Sequence, residues 1–105
     1  MSLDDGEGFP DDLPDEALIR VFPVINKRGL HARASAKFVQ CVETYEAQVY
    51  VSRAGETVNG TSIMGLMMLS AAPGTSIRVA ATGHEAEDVL IALQQLIEDK
   101  FGEEE

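Results

Sequence analysis

The sequence predicts an α+β domain, a four-stranded antiparallel sheet with helices on one face and the other face partly solvated. Three observations predict it. Residues 17–24, 48–52 and 75–81 alternate apolar and polar side chains with the two-residue period of strands. Residues 32–44 and 85–101 place apolar side chains at helical spacing. Glycine- and proline-bearing stretches punctuate these segments, giving the order βαββαβα, the split β-α-β arrangement with one extra helix.

The elements follow in turn. Residues 1–16 hold seven acids, no Lys or Arg, and Gly6, Gly8, Pro10 and Pro14, so they are expected to form a flexible acidic tail. The domain proper is expected over 17–101. Strand one, 17–24, sets Ile19 and Val21 on one side and Arg20 and Phe22 on the other, and Pro23, lacking an N–H, belongs near its end. Residues 26–30 form a loop in which Gly29 supplies positive φ or a close backbone approach. The first helix, 32–44, buries Ala34, Phe38, Cys41, Val42 and Tyr45 and turns Lys37, Gln40 and Glu43 outward. Val49 and Val51 mark the core face of the second strand, and 53–56 turn into a brief return strand over 56–59. Thr61 or Ser62 caps a short helix to about 69, ended by Ala72-Pro73-Gly74. Ile77, Val79 and Ala81 line the fourth strand. The last helix has acids at its start and an apolar face of Ala86, Val89, Leu90, Leu93, Leu96, Ile97 and Phe101. Residues 102–105 are expected to fray.

The chemistry concentrates at the start of the first helix. A helix N-terminus offers unpaired N–H groups and a partial positive charge, a natural anion site and a good one for phosphate. His31 falls at the N-cap or first helical position, outside the buried stripe, where its imidazole is a nucleophile beside those donors. Arg33, two residues on, can bond the same phosphate oxygens. A cation placed against the helix dipole makes sense where an anion visits. A lone histidine in an arbitrary loop is more often bland; the surrounding residues shift this one toward function.

Gly29-Leu30-His31-Ala32-Arg33 resembles the phosphorylation site of HPr, the histidine-containing phosphocarrier family of the bacterial phosphoenolpyruvate-dependent phosphotransferase system. Asn59-Gly60-Thr61-Ser62-Ile63-Met64-Gly65-Leu66-Met67 resembles the family's regulatory serine segment, at the family's distance from the histidine. The resemblance covers about residues 17–101. It implies an open-faced β-sandwich with strand order 1-4-2-3 and three helices on one face. It also implies phosphorylation of His31 on Nδ1 by phosphorylated enzyme I, transfer to an EIIA domain, and phosphorylation of Ser62 by a serine kinase with a matching phosphatase. Such a protein is a covalent carrier without small-molecule turnover of its own. His31, Arg28 and Ser62 together lean toward the regulatory branch of proteobacteria, beside sugar uptake. Two positions depart from the usual family pattern. Ala34 stands where many members have proline, and Arg28 where many have a small polar residue.

Ile63, Met64, Leu66, Met67, Met68 and Leu69 are too many apolar residues for one buried stripe on a short helix. About half are expected in the core, and Met64, Met67 and Met68 are candidates for an exposed partner-docking patch with a basic rim of Lys27, Arg28, Arg33 and Lys37.

Composition limits the alternatives. The formal net charge is −10, which argues against a nucleic-acid partner. Residues 17–105 hold eleven acids and eight bases, a net of −3, so most of the acidity belongs to the tail. The single cysteine, Cys41, has no internal disulfide partner and is expected as a buried thiol. No signal peptide or membrane span is evident, so a cytoplasmic monomer is the expectation. There is no P-loop, no metal-ligand cluster and no need of a cofactor; His84 reads as a turn residue. The alternative function is a non-catalytic regulatory binding module switched at Ser62, a reading that has no use for His31.

Overall fold

The structure is a computed structural model that describes residues 16–103. Its elements are β1 (Leu18–Pro23), α1 (Ala32–Glu43), β2 (Gln48–Arg53), β3 (Glu56–Asn59), α2 (Ile63–Met68), β4 (Ser76–Thr82) and α3 (Ala86–Glu98). The expected acidic tail lies, apart from Glu16, outside the described residues, as do residues 104 and 105.

The four strands form one antiparallel sheet in the order β1-β4-β2-β3. The central pair registers Val49 against Ala81 and Val51 against Val79, so four small or β-branched side chains meet on the core face. All four are almost wholly buried. β1 adds Phe22 opposite Ile77 on the same face, while Ile19 and Val21 lie on the open face, where Val21 is 59% exposed. Pro23 is the last residue of β1, where its missing N–H costs little. Ala54 and Gly55 both take positive φ, the geometry of a two-residue hairpin turn between β2 and β3.

The three helices cover one face. α1 packs against α2 and α3, and α3 lies over β1 and β4. Phe38, Leu66 and Leu93, one from each helix, are fully buried and belong to one hydrophobic core.

Four readings are corrected by the packing. The buried stripe of α1 includes Ser35 and Val39, whereas Cys41 and Tyr45 are only partly buried. α1 meets two other helices, so its buried face is wider than one stripe, and Ser35 satisfies its hydroxyl by donating to the Leu30 carbonyl (3.2 Å). Lys37, expected on the outer side, is half-buried and donates to the Phe101 carbonyl at 2.6 Å. α3 ends at Glu98 rather than near 101. Lys100 (φ 55°), Phe101 (φ 56°) and Gly102 (φ 77°) then form a left-handed turn. Phe101 still enters the core, 2% exposed, from that turn instead of from the helix. Gly102 and Glu103, expected to fray, are bonded: Gly102 N–H donates to the Asp99 carbonyl (2.9 Å) and Glu103 N–H to the Lys100 carbonyl (3.0 Å).

A basic cavity at the mouth of helix α1

His31 is the N-cap of α1, with extended backbone (φ −76°, ψ −177°). Its carbonyl accepts the first intrahelical bond from the Ser35 N–H (2.8 Å), and its ring Nδ1 accepts from the Arg33 N–H at 3.3 Å. The imidazole thus does the work that a Ser or Asp side chain usually does at this position. It also means that Nδ1 presents its lone pair to the helix N-terminus.

The loop before it is held from two sides. The Leu30 N–H donates to the Ala71 carbonyl (3.0 Å), tying the loop to the segment after α2. Gly29 has φ +67°, and a Cβ there would sit 2.3 Å from the Ala71 oxygen. Only glycine satisfies both the left-handed backbone and that approach. Asn26 is completely buried, and its Nδ2 donates to the Gly29 carbonyl (2.8 Å) and to Glu103 Oε1 (3.3 Å).

A cavity of 620 Å³ opens at this mouth, lined by Lys27, Arg28, His31, Arg33, Lys37, Gly102 and Glu103. Four of the chain's eight Lys and Arg residues therefore face one space in a protein of net charge −10. Lys27, Arg28 and Arg33 are exposed, and the His31 side chain is 24% exposed, so the ring is held yet reachable. Glu103 also lines the cavity, and its Oε2 meets His31 Nε2.

Ser62, Met64, Met67 and Met68 do not line this cavity; they lie on α2, which packs against α1. Ser62 is the N-cap of α2, its Oγ accepting from the Gly65 N–H (3.0 Å). Leu66 and Leu69 are buried, while Ile63 and Met67 are 40% exposed and Met64 and Met68 70%. Burying only Leu66 and Leu69 of the six leaves a continuous apolar surface on a one-and-a-half-turn helix.

Two site residues escaped the sequence reading, Asn26 and Glu103. Glu103 looked like one acid in a terminal run; only the left-handed turn brings it back to His31. Cys41 is half-buried, and burial pushes its thiol up from the ordinary value. His84 is exposed in a turn. Among the described residues no three His, Cys, Asp or Glu side chains converge on a possible metal site, and no helix is long and apolar enough to cross a membrane.

An open-faced sheet with a reachable, oriented imidazole in a cationic cavity is an architecture suited to a protein that handles a phosphoryl group or another anion. Residues 19–99 match the family described as the phosphotransferase-system HPr component phosphorylation site. The chain is 49% identical over 82 residues to the phosphocarrier protein HPr of Neisseria meningitidis serogroup A, covering 78% of this chain and 92% of that protein. It is 47% identical over 83 residues to HPr of Pseudomonas aeruginosa, covering 78% and 92%. The crystal structure of an HPr from Thermoanaerobacter tengcongensis superposes with a TM-score of 0.80 at 40% identity, covering 84% of this chain and 99% of that one. The chain belongs to the HPr family, the phosphocarriers of the phosphotransferase system.

Proposed function

We propose that His31 is the phosphoryl acceptor and donor, on Nδ1, that Arg33 stabilises the transferred phosphate, and that the donor and acceptor are phosphorylated enzyme I and an EIIA domain. The observation that carries this is the orientation of His31: the Nδ1 lone pair faces the helix N-terminus within a cavity lined by four cations. A phosphoryl group on Nδ1 replaces the long 3.3 Å bond from the Arg33 N–H. Its oxygens then meet the unpaired N–H groups of the first turn and the Arg33 guanidinium. Phosphoryl transfer asks of a protein mainly alignment and charge stabilisation, and these residues supply both.

The exposed methionines of α2 serve as an adaptable docking surface, with Lys27, Arg28 and Lys37 as a charged rim. Ser62 is the regulatory position. Its hydroxyl already caps α2, and a phosphate there suits the helix dipole, so the fold persists while the new charge disturbs docking. The protein acts as a monomeric covalent intermediate that turns over no small molecule by itself.

The test is intact-mass spectrometry after incubation with phosphoenolpyruvate, magnesium and enzyme I. One acid-labile phosphoryl group on wild type, and none on His31→Ala, is the expected result. An unmodified wild type beside an active enzyme I favours the binding module switched at Ser62.

A further inference from the structure

The C-terminal turn delivers a carboxylate to the back of the imidazole, and its construction is specific. Lys100, Phe101 and Gly102 all take left-handed backbone, which two non-glycine residues adopt only at a cost. Burial of the Phe101 ring and the 2.6 Å bond from Lys37 Nζ to the Phe101 carbonyl hold the turn in place. Glu103 then sets Oε1 against Asn26 Nδ2 and Oε2 against His31 Nε2. The Asn26 amide can point only one way, because the Gly29 carbonyl and the Glu103 carboxylate are both acceptors.

Resting on the carrier reading above, we propose that Glu103 is a positioning residue for phosphoryl transfer: its carboxylate, held by Asn26, selects the Nε2–H tautomer of the neutral His31 ring and so places the nucleophilic lone pair on Nδ1. A carboxylate only accepts, so Nε2 must carry the proton in the neutral ring. The Arg33 N–H at Nδ1 demands the same tautomer from the other side. When Nδ1 attacks, its lone pair forms the N–P bond. The bond from phosphorus to the donor's leaving atom breaks, and that electron pair departs with the donor. Nε2 keeps its proton throughout, and the ring becomes cationic. Glu103 compensates that charge at Nε2, in a cavity that Lys27, Arg28, Arg33 and Lys37 also line. Return of the phosphoryl group to an acceptor retraces the step.

The test combines nitrogen NMR of the His31 ring in the unphosphorylated protein with enzyme I-dependent phosphorylation rates, for wild type, Glu103→Ala and Glu103→Gln. Wild type is expected to show a protonated Nε2 and an unprotonated Nδ1. Glu103→Ala is expected to mix the tautomers and to lower the second-order transfer rate about tenfold, the lower end of the loss seen when the partner orienting a metal-bound histidine is removed. Glu103→Gln, which can still accept from Nε2–H, is expected to preserve the tautomer. A structural role alone would move the thermal unfolding midpoint and leave the tautomer as it was. An unchanged transfer rate in Glu103→Ala overturns the proposal, and so does a faster one, which would make the contact a brake. If wild type takes no phosphoryl group, the carrier reading fails, and the tautomer comparison still decides whether Glu103 orients the ring.

Discussion

At the scale of single residues, the proposed phosphoryl role requires His31 to be held firmly enough to aim and loosely enough to be reached. Its N-cap bond and its partial exposure meet both requirements. Arg33 is exposed and lines the cavity, so Arg33→Ala should leave stability within about 0.5 kcal/mol while slowing phosphoryl acceptance about tenfold or more, read from single-turnover kinetics. Ser62 has a structural duty that can be measured apart from the proposed regulation. Ser62→Ala removes the α2 cap and should cost about 1 kcal/mol in urea unfolding. Cys41 gives a sign-definite pH effect. Burial disfavours its thiolate, so folding stability is unaffected at low pH and declines as pH rises past the unfolded thiol's value of about 8.5. Alkylation of the native protein should be correspondingly slow and should accelerate on unfolding. A wild type whose stability falls with alkaline pH no more steeply than that of Cys41→Ala would contradict this.

At the scale of elements, the loop of residues 24–31 is aimed by α2's trailing segment rather than by α1 alone. Gly29→Ala forces a Cβ against the Ala71 carbonyl and keeps a left-handed φ. It should destabilise by about 1–3 kcal/mol and misplace His31, so that transfer falls further than stability does. α2 behaves in the opposite way. Met64 and Met68 are mostly exposed, so changing both to Asp should barely alter the unfolding midpoint yet weaken transfer to and from partners. Strands and helices were legible in the sequence because their apolar periods of two and about 3.6 survive into the fold: Val49 and Val51, or Val89, Leu90 and Leu93, are buried where the pattern puts them. The mouth of α1 was legible for a similar reason, since Gly29 and His31 carry their meaning locally. The C-terminal turn was not. Lys100 and Phe101 give no sign of positive φ, a spacing of four from Ile97 to Phe101 fits helix and turn alike, and the Lys37–Phe101 bond depends on tertiary structure. Glu103 and Asn26 are linked across 77 positions, beyond any local pattern.

At the scale of the whole molecule, charge is sorted rather than balanced. Half of the Lys and Arg residues line the cavity, while seven of the eighteen acids fall within residues 1–16. An acidic partner surface would be drawn to that cavity over a Debye length of about 8 Å at physiological salt. Raising ionic strength should therefore lower the association rate of transfer more than the rate within the complex. The open face of the sheet, with Ile19 and Val21 exposed, stays remote from this chemistry because all three helices and the His31 loop share the other side. As a proposed carrier, His31 both takes and gives the phosphoryl group. The most direct measurement is a chase: protein phosphorylated from phosphoenolpyruvate is freed of enzyme I, mixed with an EIIA domain, and followed by intact mass on both chains. Loss of the phosphoryl group from His31 with its stoichiometric appearance on the acceptor is the predicted result. A phosphoryl group that stays on the protein, or leaves only by hydrolysis in the presence of a cognate acceptor, would contradict it.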